Sequence, residues 1–156
     1  APTLVCDDGT VLMDSTLIID HLNDLVPPAQ RLLPADPAAR VAALRHIGVA
    51  LVACEKAVQH YYERGLRPAD KQHAPWLNRV DGQLKLAFEE LERIVVSAQP
   101  WLHGARMMQD DLTIAVAWRF AQLTTPDALD WSPYPKLAAF SARAEALPAF
   151  VSTPLD

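Results

Sequence analysis

The sequence contains few of the features that mark a secreted or membrane-spanning protein. Only two of its 156 residues are cysteine, Cys6 and Cys54, and neither has a CxxC or zinc-type neighbour. A disulfide framework is therefore not expected, and a reducing compartment is favoured. The sequence contains no recognisable signal peptide and no uncharged stretch long enough for a transmembrane helix. We expect a cytoplasmic protein that does not use a membrane as a partner.

Basic residues are also few, and they are scattered along the chain. The sequence has 14 Lys and Arg against 19 Asp and Glu, which gives a formal net charge of -5. Because binding to phosphate backbones requires clustered Lys and Arg, nucleic acid is not an expected partner. The hydrophobic fraction of 51% in a chain of this length indicates a globular protein with a sizeable core.

Histidine pairs at metal-binding spacing are absent as well. No two of the five histidines lie four residues apart, as they do when one helix face supplies two metal ligands. We therefore predict surface or packing roles for the histidines and no metal site. The two cysteines are interpreted as inert packing residues rather than nucleophiles. The histidines are His21, His46, His60, His73 and His103.

The first 26 residues predict a small β-hairpin followed by a helix. The apolar runs 3–5 and 11–13 flank an Asp-Gly pair, which can supply the positive φ angles of a tight turn. The stretch "DSTLIIDHLNDL" then has apolar residues at helical spacing behind Asp14 and Ser15, which are favoured N-cap residues. The proline-rich segment 27–36 is too broken for regular structure and is interpreted as a linker.

The remainder, 37–156, is predicted to be an all-helical domain. Helices are expected over 37–64, over 75–97, from about residue 111, and over 135–146. The third of these is apolar almost all round and is expected to be buried. In the first, the predicted buried stripe consists of Val41, Leu44, Ile47, Leu51, Cys54, Val58 and Tyr61. The four tryptophans are predicted to pack in the helical core: Trp76, Trp101, Trp118 and Trp131.

Three stretches in this order resemble the glutathione transferase family, and most closely its bacterial members. They are "PTLVCDDGTVLMDSTLIIDHL", the helix pair after the linker, and "PWLHGARMMQDDLTIAVAW". The resemblance covers nearly the whole chain. It implies a mainly α protein, in which a β-hairpin and helix from a thioredoxin-like domain precede an all-helical C-terminal domain.

The resemblance also implies what would precede this sequence. Pro2 matches a cis-proline that lies in the middle of the family's thioredoxin-like domain. A strand, a helix and a second strand, with the family's catalytic Tyr, Ser or Cys, are therefore expected upstream of Ala1. We expect the catalytic residue there, and we expect the 156-residue chain alone to be inactive.

The glutathione-binding residues implied by the resemblance are Ala1, Pro2, Asp14 and Ser15. In the family, a helix N-terminus and its Ser receive the γ-glutamyl carboxylate, while the acidic residue meets the ammonium group. The unpaired N–H groups of a helix start suit an anion on physical grounds. Two alternatives stay open: Asp14 or Ser15 only caps its helix, and the bond before Pro2 is an ordinary trans bond at the start of the chain.

Three further residues are assigned by the resemblance. Tyr61 and Tyr62 match positions that line the second-substrate pocket, with helical core packing as the alternative. Asp111 matches the Asp of a capping box at the buried central helix. Met108 stands where the family has the Ser or Thr of that box, so half of the box is expected to be lost.

The function that the resemblance implies is conjugation or reduction of a small electrophile, with glutathione as co-substrate, in a protein that forms a homodimer. A thiolate would attack the electrophile, which requires a group that lowers the thiol pKa. The alternative is a non-catalytic helical interaction or assembly module of the same fold.

Overall fold

The computed structural model describes residues 2–154, and helices dominate them. Two strands and six helices follow one another in a simple order. They are β1 (Thr3–Val5), β2 (Val11–Met13), α1 (Ser15–Leu25), α2 (Pro37–Tyr61), α3 (Ala74–Val95), α4 (Gln109–Thr124), α5 (Pro135–Glu145) and α6 (Pro148–Val151). The predicted mainly α fold, a hairpin and helix followed by a helical unit, is confirmed. The short helix α6 was not predicted. Among residues 2–154, no helix is both long and apolar enough to cross a membrane.

The hairpin forms where the sequence predicts it, but its turn is longer than a two-residue turn. β1 and β2 pair in antiparallel register, with Val5 opposite Val11. The loop closes through two backbone hydrogen bonds, from the Gly9 N–H to the Cys6 carbonyl and from the Cys6 N–H to the Thr10 carbonyl. Gly9 alone supplies a positive φ, of 86°. Glycine adopts this conformation without the steric cost of a Cβ atom.

Helix α2 buries a different face from the predicted one. Its buried stripe is made chiefly of alanines that lie against α3 and α4, and of the predicted stripe only Ile47 is fully buried. Leu44 and Leu51 each follow a buried alanine by one position, and one position on a helix is a rotation of about 100°. Small side chains let the three helices approach closely. The buried face of α2 is therefore the one with the smallest apolar side chains and not the one with the largest. The buried apolar residues are Ala43, Ile47, Ala50, Ala53 and Ala57.

Helices α3, α4 and α5 complete the core as the sequence predicts. The apolar stripe of α3 is buried, and α4 is buried along most of its length. Phe88 of α3 meets Trp118 of α4 and Trp131 edge-on, with ring centroids 5.6 and 5.3 Å apart. Such edge-to-face pairs add to the free energy of burying the rings. Glu92 of α3 fixes the start of α5 by accepting two backbone N–H groups.

One of the four predicted core tryptophans lies outside the core. Trp76 is 41% exposed, whereas Trp101 and Trp118 are buried and Trp131 packs against the core. Trp76 lies one position before the buried Leu77 on α3, and that offset turns its side chain away from the buried face. The prediction of a core position for Trp76 was therefore wrong.

The linker is attached to both parts of the chain. The buried side chain of Asn23, on α1, accepts the Leu32 N–H at 2.7 Å, and the Leu32 carbonyl accepts the N–H of Gln109 at 2.9 Å. One linker residue thereby joins α1 to the first residue of α4. Most of the segment is irregular, as predicted, but Pro28–Gln30 forms one turn of 3-10 helix.

Candidate functional site

The hairpin register brings the predicted glutathione-binding residues to one end of the first unit. Thr3 pairs with Met13, so Pro2 and Asp14 follow at the same end of the two strands. Ser15 is the first residue of α1. Pro2, Asp14 and Ser15 are exposed there. Ala1 lies outside the described residues, and so does the Ala1–Pro2 peptide bond.

Asp14 has an unusual backbone conformation at this junction. Its φ is 78° and its ψ is 126°, and among residues 2–154 it is the only non-glycine residue with a positive φ. A side chain with a Cβ atom adopts this region at a cost of about 1–3 kcal/mol, and such residues are concentrated at functional sites. The strained conformation joins the end of β2 to the start of α1.

The same Asp14 caps helix α1. Its Oδ1 accepts the Thr16 N–H at 2.8 Å, and its carbonyl accepts the Ile18 N–H at 3.0 Å. Capping leaves Ser15 in the first turn, where backbone N–H groups point away from the helix. The junction therefore offers a hydroxyl, helix N–H groups and a carboxylate within two consecutive residues.

Tyr61 and Tyr62 lie where α2 passes into a single π-helical turn over Tyr62–Leu66. Their rings form a tilted pair with centroids 6.1 Å apart, and they are 43% and 58% exposed. The alternative of core packing is therefore wrong for both residues. Tyr61 and Tyr62 lie on a different element from Asp14 and Ser15. Because their rings are exposed, a ligand can reach them.

Of the two cysteines, Cys54 agrees with the interpretation as an inert packing residue. Burial raises the pKa of the Cys54 thiol to about 11, so it stays protonated at neutral pH and is a poor nucleophile. Cys6, on the loop after β1, has its sulfur 3.9 Å from Nε2 of His21.

Asp111 is part of a capping box at the start of α4, as predicted, but the expected loss of the other half was wrong, because the Met108 side chain accepts the Asp111 N–H. One of its carboxylate oxygens accepts the Met108 N–H and the other accepts the Leu102 N–H, each at 2.9 Å. Asp111 thereby holds the loop before α4 against the helix start. Burial raises the pKa of its carboxyl, and the charge of the neighbouring Asp110 raises it further, against the effect of the two hydrogen bonds.

A second buried carboxylate beside Asp111 forms a cluster that the sequence did not predict. Oδ2 of Asp110 lies 2.9 Å from Nδ1 of His46 and 2.9 Å from Nε2 of His103. Burial by itself would raise the pKa of Asp110, but the hydrogen bonds from the two imidazoles outweigh it and hold the pKa below its usual value.

The prediction of surface or packing roles missed this cluster because its members are far apart in the chain. His46 is 64 residues from Asp110, and only His103, seven residues away, is nearby. The sequence carried one signal, which is a pair of acidic residues at the start of an apolar helix. Two carboxylates that are buried on folding are expected to have hydrogen-bonding or positively charged partners.

The comparisons with known proteins concern the fold. Neither a protein-family model nor a curated protein matches the chain. Among solved structures, a glutathione S-transferase from Methylobacterium radiotolerans, in complex with glutathione sulfonate, is 29% identical with a TM-score of 0.87. The match covers 100% of this chain and 75% of that one.

Two further solved structures give the same result. A glutathione S-transferase from Methylobacillus flagellatus with glutathione bound is 24% identical, with a TM-score of 0.88 over 99% of this chain and 76% of that one. A glutathione transferase family member from Pseudomonas fluorescens, with bound S-(propanoic acid)-glutathione, is 25% identical, with a TM-score of 0.84 over 99% and 77%. In the order and arrangement of its elements, this chain is similar to these bacterial glutathione S-transferases.

Proposed function

We propose that the protein binds glutathione at the junction of β2 and α1 and uses it to conjugate or reduce a small electrophile. The single observation that carries the proposal is the strained, exposed Asp14 that sets Ser15 at the start of a helix. Solved structures of similar fold hold glutathione, glutathione sulfonate or a glutathione conjugate, which supports the same class of ligand here.

The junction suits the γ-glutamyl end of glutathione, which carries a carboxylate and an ammonium group. The carboxylate accepts hydrogen bonds from the Ser15 hydroxyl and from N–H groups of the first turn, where the helix dipole also favours an anion. The ammonium group pairs with the Asp14 carboxylate. Backbone groups at Ala1 and Pro2 are proposed to bind the cysteinyl part.

The electrophile is proposed to bind beside Tyr61 and Tyr62. Their exposed, mutually tilted rings offer apolar faces of the kind that small-molecule pockets use, together with hydroxyl groups that can orient a substrate. In conjugation, the glutathione thiol gives its proton to a base, the thiolate forms a sulfur–carbon bond, and the electrophile either loses a leaving group or takes up the electron pair of a double bond. No metal is required for that step.

Replacement of Ser15 by Ala tests the proposal. The change removes one hydrogen bond to a charged group, which contributes about 1.5–3 kcal/mol, so the affinity for glutathione should fall by about 10- to 150-fold. Calorimetric titration of glutathione into the protein measures it. Ser152→Ala, at the exposed end of α6, is the matched control and should leave the affinity unchanged.

Thermal melts show whether each variant is folded, which separates lost binding from lost structure. If folded Ser15→Ala binds glutathione as the unaltered protein does, Ser15 has no role beyond the helix start. If the unaltered protein binds no glutathione, the proposed function is wrong.

A further inference from the structure

The cluster around Asp110 shares no residue with the proposed glutathione site. It brings together three potential metal ligands from separate parts of the chain. His46 is on α2, His103 is in the loop before α4, and Asp110 is in the first turn of α4. One donor atom from each lies within 4.8 Å of the other two. Because α4 also packs against α2, the fold itself brings the two histidines to the same carboxylate oxygen.

Asp110 is incompletely satisfied by protein groups. Its side chain is fully buried, and both histidines meet the same oxygen, Oδ2. Among residues 2–154, no hydrogen-bond donor meets the other oxygen, Oδ1. A buried carboxylate oxygen without a partner is costly, and the buried carboxylate of Asp111 follows directly in the chain. The position therefore favours a positive charge.

We propose that His46, His103 and Asp110 bind a divalent transition-metal ion, with Zn²⁺ as the ion that the donor set suits best. Two imidazole nitrogens and one carboxylate oxygen suit borderline ions such as Zn²⁺, whereas Ca²⁺ and Mg²⁺ prefer oxygen alone. This site is additional to the proposed function, and it runs against the expectation of no metal site that was based on the histidine spacing.

The two His–Asp distances suit such a site, and the two histidine nitrogens, which lie within 4.8 Å of each other, need to approach by no more than about 1.5 Å. Zn²⁺ binds nitrogen and oxygen at about 2.0–2.2 Å, which places tetrahedral donors about 3.3 Å apart. The two His–Asp separations of 2.9 Å are close to that value. The histidine side chains are 16% and 17% exposed, so an ion can enter from their side, and a water molecule can supply the fourth ligand.

The competing interpretation is a hydrogen-bonded network in which both imidazoles donate to Asp110 and no ion is bound. Metal titration separates the two. Metal-stripped protein at pH 7.5 is titrated with Co²⁺, whose visible absorption reports four-coordinate binding, and then with Zn²⁺ as competitor. We expect one Co²⁺ per chain, displacement by Zn²⁺, and a higher melting temperature with either ion, because an ion that binds only the folded state stabilises it.

Two histidine variants locate the ion. His103→Gln keeps a hydrogen-bonding side chain but removes a ligand, and we expect it to lower Zn²⁺ affinity by at least about 100-fold, since even outer-shell changes cost 10- to 100-fold. His73→Gln is the matched control, because His73 is exposed and outside the cluster, and its affinity should be unchanged. Asp110→Asn is used only if its melt shows a folded protein.

The result does not depend on glutathione, so failure here leaves the proposed function untouched. The metal site is wrong if the unaltered protein binds no Zn²⁺ at tens of micromolar. It is also wrong if His103→Gln and His73→Gln lose affinity equally, since that indicates binding by surface histidines only.

Discussion

At the scale of single residues, Asp14 both caps α1 and has a strained, positive φ. A substitution there changes the capping and the strain with opposite effects on stability. Replacing Asp14 by Gly removes the cap oxygen, which costs only a few tenths of a kcal/mol, and adds freedom to the unfolded chain, which costs about 0.5–1 kcal/mol. The same change relieves strain of about 1–3 kcal/mol at this φ. We expect the free energy of unfolding to rise by about 1 kcal/mol in a urea titration.

Asp36 provides the matched control for this prediction. It caps α2 by accepting the Ala39 N–H at 2.8 Å, and its φ is an ordinary -65°. Asp36→Gly relieves no strain and should lower the free energy of unfolding. If Asp14→Gly destabilises the protein as much as Asp36→Gly does, the backbone at Asp14 is not strained.

Tyr134 gives a prediction about alkaline pH. Burial raises the pKa of its phenol above the usual 10, and the nearby Glu89, Asp130 and Glu92 raise it further. The folded state then holds the phenolic proton more tightly than the unfolded state. That contribution to stability is complete below pH 10 and is lost as the pH rises through the folded-state pKa.

We therefore expect Tyr134→Phe to reduce the loss of stability above about pH 10. Melting temperatures of both proteins between pH 8 and pH 11 measure the effect. Parallel curves over this range would show that the Tyr134 phenol has the same pKa in the folded and unfolded states.

At the scale of elements, the hydrogen bond from Leu32 to Asn23 fixes the linker against α1. Asn23→Ala leaves the Leu32 N–H without its acceptor, and an unsatisfied, partly buried N–H costs about 1–3 kcal/mol. We expect a loss of this size in the free energy of unfolding and faster proteolysis within residues 27–36. Asn78→Ala, at an exposed position of α3, is the control and should change neither quantity.

This linker is the boundary in the proposed division of the chain into 1–26, 27–36 and 37–156. The linker is short and broken by prolines, but its contacts with Asn23 and Gln109 attach it on both sides. We propose that the two units nevertheless unfold separately, with the helical unit the more stable because it holds the aromatic core. Hydrogen exchange that is equally slow in α1 and α4 would contradict this.

At the scale of the whole molecule, apolar side chains remain exposed on two surfaces. One lies along the hairpin and α1, and the other lies in a groove between α2 and α3 that includes Val52 and Leu86. Exposed apolar patches of this kind are typical of interfaces between proteins. The residues of the first surface include Val5, Val11, Met13, Leu17, Leu22 and Leu25.

We predict that the protein is a homodimer and that the groove between α2 and α3 contributes to the interface. Val52→Glu places a charge in the groove and should shift the protein toward monomer in sedimentation equilibrium. Val151→Glu, on α6, adds the same charge to another exposed position and should leave the assembly unchanged. A monomer for the unaltered protein at tens of micromolar would exclude the dimer.

The sequence by itself determined the elements whose signals are local. The Asp-Gly turn, the Asp14 cap and the apolar stripe of α3 depend on neighbouring residues, so hairpin and helices lie close to their predicted positions. The candidate glutathione residues follow from the resemblance and stay a prediction, and the hairpin register places two of them, Pro2 and Asp14, at the same end of the strands.

Only the tertiary structure decided which faces are buried and which distant residues meet. Helix α2 buries its alanines because two other helices pack closely against it, and neither helix is visible in the pattern of α2 alone. His46 reaches Asp110 across 64 residues for the same reason. Spacing along a chain encodes contacts within one helix or strand, whereas contacts between helices depend on side-chain size and packing over the whole molecule.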